Sequence, residues 1–214
     1  HNSVLLNLFL FSWASRLGFR SFNNTVSEMC LLEFSEENNK ELITMSAEEM
    51  DIVLKTCLDM CEKTNRVPYF SITGGDPILH PNFWDLLEKL HEKQVRYGIL
   101  GNPYHLTPEV CKRLNGLGCR QYQLSLDGLK ETHDYFRKPG SFDITLEKIK
   151  VLQDAGVRAS IMTTVSKTNI NEITEIIDRV VEHEAGLFSF ARYCPTSLEK
   201  TAHMTPEEYK EKLE

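Results

Sequence analysis

Four consecutive residues, Gly74, Gly75, Asp76 and Pro77, end an extended apolar run that begins at Pro68. Paired glycines let a backbone come close to a ligand and take positive φ where needed. Proline fixes the departing turn, and Asp76 offers an anionic acceptor for an ammonium group. A phosphate loop is a poor match, since the lysine and its glycine spacing are missing and a carboxylate would repel phosphate. The chemistry that suits this quartet is capture of a cationic amine.

Four further segments break in the same way: Gly101-Asn102-Pro103, Ser125-Leu126-Asp127-Gly128, Thr163-Thr164-Val165-Ser166 and Arg192-Tyr193-Cys194-Pro195. Any one of them alone is ordinary turn chemistry. Taken together they lie at successive strand ends, where parallel sheets and barrels bind their ligands. The elements that must position them alternate regularly. A helix is expected from Ser46, where Ser46 and Glu49 form a capping box ahead of apolar residues at helical spacing. Strands are expected in PYFSITGG, VRYGILGN, CRQYQLSLDG, VRASIMTTVS and LFSFARYCP, separated by helices in PNFWDLLEKLHEKQ, TPEVCKRLNGLG, SFDITLEKIKVLQDAG and NINEITEIIDRVVEHEAG. Such alternation is the mark of repeated βαβ units and a parallel sheet, either doubly wound or curled into a barrel.

The chain of 214 residues suits one domain with a sizeable core. A formal net charge of -7 argues against nucleic acid, which calls for a basic face. The six cysteines, at 30, 57, 61, 111, 119 and 194, read as thiols in a reducing cytoplasm rather than a disulfide framework. Cys57 and Cys61 fall inside an amphipathic helix and read as helix-packing residues. The histidines show no zinc-ligand spacing, and Arg137 and Lys138 read as a solvated loop. The opening SVLLNLFLFSWA is too short to cross a bilayer and has no basic flank, so no membrane partner is expected. It reads as a fragment start outside the fold. At the other end, Thr205 and Pro206 read as the cap and first turn of a final helix.

The ordered segments SITGGDPILHPNF, SLDG and GSFDITLEKIKVLQDAGV closely resemble the radical SAM superfamily, and within it the maturases with a C-terminal SPASM extension. GILGNPYHLTPEVC, QYQLSLDGLKETHDYFRKPGSFD and FARYCPTS resemble the ACGX type, which is associated with small peptide precursors. The resemblance covers roughly residues 46–214. It implies a partial (β/α)6 TIM-like barrel with a parallel sheet that binds S-adenosylmethionine across its strand tops. Gly74, Gly75, Asp76 and Pro77 would then receive the methionine amino group. Asn102, Ser125 and Asp127 would stand near the ligand, with Thr163 and Thr164 as a further contact. The implied partners are a small ribosomal peptide precursor and a reductant such as flavodoxin or ferredoxin.

The family also implies a [4Fe–4S] cluster on three cysteines of a CxxxCxxC loop after the first strand, used to release a 5′-deoxyadenosyl radical. Here the pattern departs. With Cys30 as the last ligand, Asn23 and Ser27 fall where the first two thiolates belong, and oxygen side chains are much poorer ligands for such a cluster. Residues 1–45 are therefore expected to be an atypical segment where the first strand and cluster loop belong, and 46–214 a barrel that stops before any SPASM extension. Three explanations stand: a garbled or misplaced N-terminal segment, a degenerate member that keeps the barrel and binds S-adenosylmethionine or a peptide without radical chemistry, or some other α/β protein.

Overall fold

The computed structural model describes residues 6–10, 45–74, 76–193 and 202–213. Six strands form one sheet: β1 (Leu6–Leu10), β2 (Pro68–Ile72), β3 (Arg96–Leu100), β4 (Cys119–Ser125), β5 (Arg158–Val165) and β6 (Leu187–Arg192). They lie in the order β1-β2-β3-β4-β5-β6, each parallel to its neighbour. A doubly wound sheet reverses its strand order at a switch point, whereas this sheet never does. It curls as a half-barrel, which resolves the alternative left open by the sequence.

The helices between the strands follow from local chemistry. Helix α1 (Ala47–Lys63) starts at the expected capping box, with the Ser46 hydroxyl accepting from Glu49 N at 3.2 Å and the Glu49 carboxylate accepting from Ser46 N at 2.8 Å. Its buried residues Leu54, Cys57 and Cys61 recur at helical spacing, so both cysteines lie on its buried face, with Leu54 and Cys57 in the core. Helix α2 spans Phe83–Glu92, and α3 spans Pro108–Gly116 behind a Thr107 cap. After α3, Gly118 takes φ +82°, as expected of a helix stop. Helix α5 (Ser141–Asp154), α6 (Ile173–Glu182) and α7 (Pro206–Leu213) complete the outer layer. At α7 the Thr205 hydroxyl accepts from Glu208 N, and the Glu208 carboxylate accepts from Thr205 N.

Two elements were not read from the sequence. Helix α4 (Lys130–Phe136) has seven residues, too few to display a period. Its first turn is held from outside: the Glu172 carboxylate accepts from Leu129 N at 2.7 Å and from the Thr132 hydroxyl at 2.6 Å. Strand β1 pairs Leu6–Leu10 with Pro68–Ile72, so part of the apolar opening belongs to the sheet, against the expectation that it lies outside the fold.

Strand alternation divides the sheet into two faces. Phe70, Ile72, Tyr97, Ile99, Tyr122, Leu124, Ala159, Ile161 and Val165 are buried and form the core with the helices. The opposite, inward face carries Tyr69, Ser71, Gln121, Gln123, Ser125, Met162 and Thr164, all half-buried. Apolar residues anchor the layers while polar ones line the concave side. Among the described residues no helix is long and apolar enough to cross a membrane.

Candidate functional site at the strand ends

The carboxyl ends of β2 to β5 bring the sequence candidates to one rim. Gly74 takes φ +119°, a backbone state that L side chains rarely adopt, so the turn after β2 depends on glycine. Pro77 is buried and opens a short 3-10 turn, Pro77–Leu79. Gly75, the second member of the quartet, lies outside the described residues.

Asp76 is the centre of the arrangement. Its side chain is 3% exposed. One carboxylate oxygen, Oδ1, accepts from the Asn102 N–H at 3.4 Å. The other, Oδ2, is buried with no hydrogen-bond partner among the described residues and has the His105 Nε2 at 3.9 Å. Burial pushes the Asp76 carboxyl above the usual carboxylate range, while the Asn102 N–H and His105 pull it partly back. A buried carboxylate oxygen without a donor is costly to the protein. An arriving ammonium group would supply that missing donor.

Asn102 contributes through its backbone: its N–H supports Asp76 and its carbonyl accepts from the Tyr122 hydroxyl at 3.2 Å. Gly101 keeps this corner open, because a Cβ there would collide with the Tyr122 hydroxyl and stand 3.1 Å from Asp76 Oδ1. Ser125 ends β4 half-buried on the inward face.

Two of the expected contacts are engaged by groups of the protein itself. Thr163 is fully buried on the helix-facing side of β5, and its hydroxyl donates to the Leu126 carbonyl at 2.7 Å. Its neighbour Thr164 is the one that faces inward. Asp127 is buried, and protein groups occupy both its oxygens: Oδ1 accepts from Thr164 N at 2.9 Å, and Oδ2 from Arg137 Nε and Nη2 at 2.9 and 2.6 Å. Arg137 is therefore no solvated loop residue. Lys138 is engaged as well, with Nζ 3.4 Å from the Tyr104 ring centroid.

Residues that the sequence did not single out tie this corner together. The His133 Nδ1 accepts from Asp127 N at 3.0 Å, which leaves Nε2 to donate to the Ser141 hydroxyl at 3.1 Å. Burial lowers the His133 pKa, consistent with a neutral ring in that role. Asn169 donates from Nδ2 to the carbonyls of Asp127 and Thr164, at 2.7 and 2.9 Å. A histidine six residues beyond a strand-end acid carries no pattern that would have marked it.

The donor sets differ in what they could hold. Asp76 Oδ2, a half-buried Ser125 and the glycine turn fit an amino acid ligand such as the methionine end of S-adenosylmethionine. An iron–sulfur cluster needs three thiolates. The expected positions Asn23, Ser27 and Cys30 lie outside the described residues, and only one of them is a cysteine. Cys194 also lies outside the described residues. Cys57, Cys61, Cys111 and Cys119 are buried in α1, α3 and β4. Burial raises the Cys57 thiol, lifts Cys111 to about 11 and Cys119 to about 12. Among the described residues no set of thiols fits a three-thiolate cluster. These four thiols are expected to resist iodoacetamide at pH 8 in the native protein and to react fully in urea, read by mass spectrometry. Rapid native labelling of Cys111 or Cys119 would contradict their burial.

Comparison with known proteins follows the same lines. The profile described as the radical SAM superfamily matches residues 33–180. An AdoMet-dependent heme synthase of Methanosarcina barkeri is 32% identical over 145 residues, 66% of this chain and 42% of that protein. The mycofactocin maturase MftC of Mycolicibacterium smegmatis is 28% identical over 162 residues, 74% of this chain and 39% of that protein. The chain spans less than half the length of these curated relatives. Among solved structures, native anSMEcpe with bound AdoMet and the Cp18Cys peptide aligns with TM-score 0.72 at 17% identity, over 97% of this chain and 57% of that one. That likeness is one of fold and agrees with the half-barrel.

Proposed function

The chain belongs to the radical SAM superfamily, and from that premise we propose that its half-barrel holds S-adenosylmethionine at the β2 end, in a protein that modifies a small ribosomal peptide precursor. One observation carries the reading: the buried Asp76 Oδ2, which has no partner among the described residues. Asp76 would accept from the ligand's ammonium group. Gly74, Gly75 and Pro77 would shape the turn around it, and Asn102 and Ser125 would flank it. S-adenosylmethionine supplies a sulfonium centre whose cleavage is the family's source of a carbon radical. Asp76 and its surroundings act earlier than that, by orienting the methionine end and keeping water from it.

The peptide substrate draws its support from relatives. MftC is named a maturase, and anSMEcpe is seen with a peptide bound, whereas the heme synthase relative acts elsewhere. The concave face, lined by Ser, Gln and Tyr side chains, suits a polar substrate such as a peptide. A cytoplasmic setting with a flavodoxin or ferredoxin as reductant belongs to the same proposal.

A second reading is favoured by the donor set. With Asn23 and Ser27 at the expected ligand positions, the half-barrel would bind S-adenosylmethionine or a peptide without radical chemistry. Calorimetry with S-adenosylmethionine tests the shared part, and one-to-one binding is expected. Anaerobic reconstitution with iron and sulfide, followed by dithionite, then separates the two. Release of 5′-deoxyadenosine selects the radical enzyme, and retained binding without release selects the degenerate module. No binding at all overturns both.

A further inference from the structure

We propose that Tyr122 is a positioning residue for Asp76, fixing through its hydroxyl the Asn102 backbone that presents the carboxylate. The inference rests on the reading of Asp76 as the ammonium acceptor for its functional meaning, but not for its geometry. Tyr122 is fully buried, on the helix-facing side of β4. Its hydroxyl crosses to the end of β3 and donates to the Asn102 carbonyl at 3.2 Å, and the N–H of that same residue points at Asp76 Oδ1. Asn102 has little freedom to do otherwise. Pro103 confines it to extended backbone, and Gly101 N donates to the Gln123 carbonyl at 3.2 Å, continuing the ladder into the loop. The 3.4 Å contact to Asp76 is long for a hydrogen bond, so it depends closely on how the peptide is turned.

A buried tyrosine normally finds some acceptor, and that alone would be packing. What sets Tyr122 apart is which acceptor it takes. Tyr97 offers the matched comparison: it is equally buried, and its hydroxyl donates at 3.1 Å to the Leu117 carbonyl at the end of α3, with no link to Asp76. Besides Asn102, the groups facing the carboxylate are the backbone N–H of Ile78 from the turn that follows it, the His105 ring from the loop after β3 and the Tyr122 phenol from β4. Without the Tyr122 hydroxyl Asn102 loses the anchor on its carbonyl, and its N–H contact to the carboxylate, already long at 3.4 Å, weakens. A carboxylate that loses a donor becomes a weaker acid.

The test compares the full chain with Tyr122→Phe and Tyr97→Phe. Carboxyl-carbon NMR follows the Asp76 titration in ligand-free protein, with His105 followed in parallel. Tyr122→Phe is expected to lower the Asp76 ionisation constant about threefold, moving its midpoint up by roughly half a pH unit, while Tyr97→Phe leaves it in place. S-adenosylmethionine affinity should then fall by up to about threefold below the wild-type Asp76 midpoint in Tyr122→Phe alone, with the acid limb of binding shifted upward. If both variants leave the Asp76 midpoint where it was, or move it equally, Tyr122 is a packing residue and the inference is overturned. If the midpoint moves in Tyr122→Phe but no variant binds S-adenosylmethionine, the positioning role stands and the ligand reading falls.

Discussion

Asp76→Asn is expected to weaken S-adenosylmethionine binding while making the ligand-free protein more stable. A hydrogen bond to a charged group contributes about 1.5–3 kcal/mol net, and every 1.4 kcal/mol is tenfold in affinity, so the loss should be roughly 10- to 100-fold by calorimetry. The stability gain has the opposite origin. Burial raises the folded-state pKa of Asp76 above its unfolded value, so the folded protein binds the proton more tightly. Stability is therefore greatest below the unfolded pKa and falls as pH rises through the folded one, above which the cost is fully present. Asparagine keeps the shape and the acceptor for Asn102 N–H but carries no charge to bury. A gain of about 1 kcal/mol corresponds to a Tm increase of roughly 2–4 °C in a chain of this size. The binding profile carries its own signature. Wild-type affinity should drop as pH falls through the raised Asp76 pKa, because a protonated carboxyl no longer pairs with an ammonium, and that limb should vanish in the variant. An Asp76→Asn protein that binds as tightly as wild type, with the same pH profile, would remove Asp76 from the site.

This trade between stability and binding was partly legible in the residues themselves. The Gly74 to Pro77 turn announced both an acid and a backbone that comes close to a ligand, and the positive φ at Gly74 bears out the turn chemistry. The capping box at Ser46 and the Thr205 cap ahead of Pro206 fixed two helix starts with no knowledge of tertiary structure. What the residues could not give was the face of a strand. Thr163 and Thr164 are one position apart, and with a period of two a single step decides between the core and the concave side. The strand-end pattern SLDG marked Asp127 as polar and placed at the rim. Whether its carboxylate looks outward or into a bonded network depends on Arg137 ten residues on, just past a helix too short to show a period. The Tyr122 hydroxyl was hidden for a similar reason, since a tyrosine inside an apolar strand reads as core until its acceptor is located.

Asp127→Ala is expected to be the most destabilising of these substitutions, and its effect separates a structural acid from a binding one. The side chain is 8% exposed and joins β4, β5 and α4: Thr164 N from β5 and the Arg137 guanidinium from the end of α4 both converge on it. Removing one partner of a buried ion pair costs about 3–5 kcal/mol when the remaining charge stays buried. The Arg137 side chain is 30% exposed, so water takes up part of the freed charge and the lower end, about 3 kcal/mol, is the better expectation. That is a fall in Tm of roughly 6–12 °C. The backbone link from Asp127 N to the neutral His133 survives the substitution, as does the Asn169 clamp on the carbonyls of Asp127 and Thr164. The strand end should therefore loosen without coming apart. Measured well below the lowered Tm, S-adenosylmethionine should still bind at one equivalent, with affinity reduced far less than in Asp76→Asn. The reverse result, a protein of unchanged Tm that no longer binds, would return Asp127 to the role its place in SLDG suggests and make Arg137 its partner only while the site is empty.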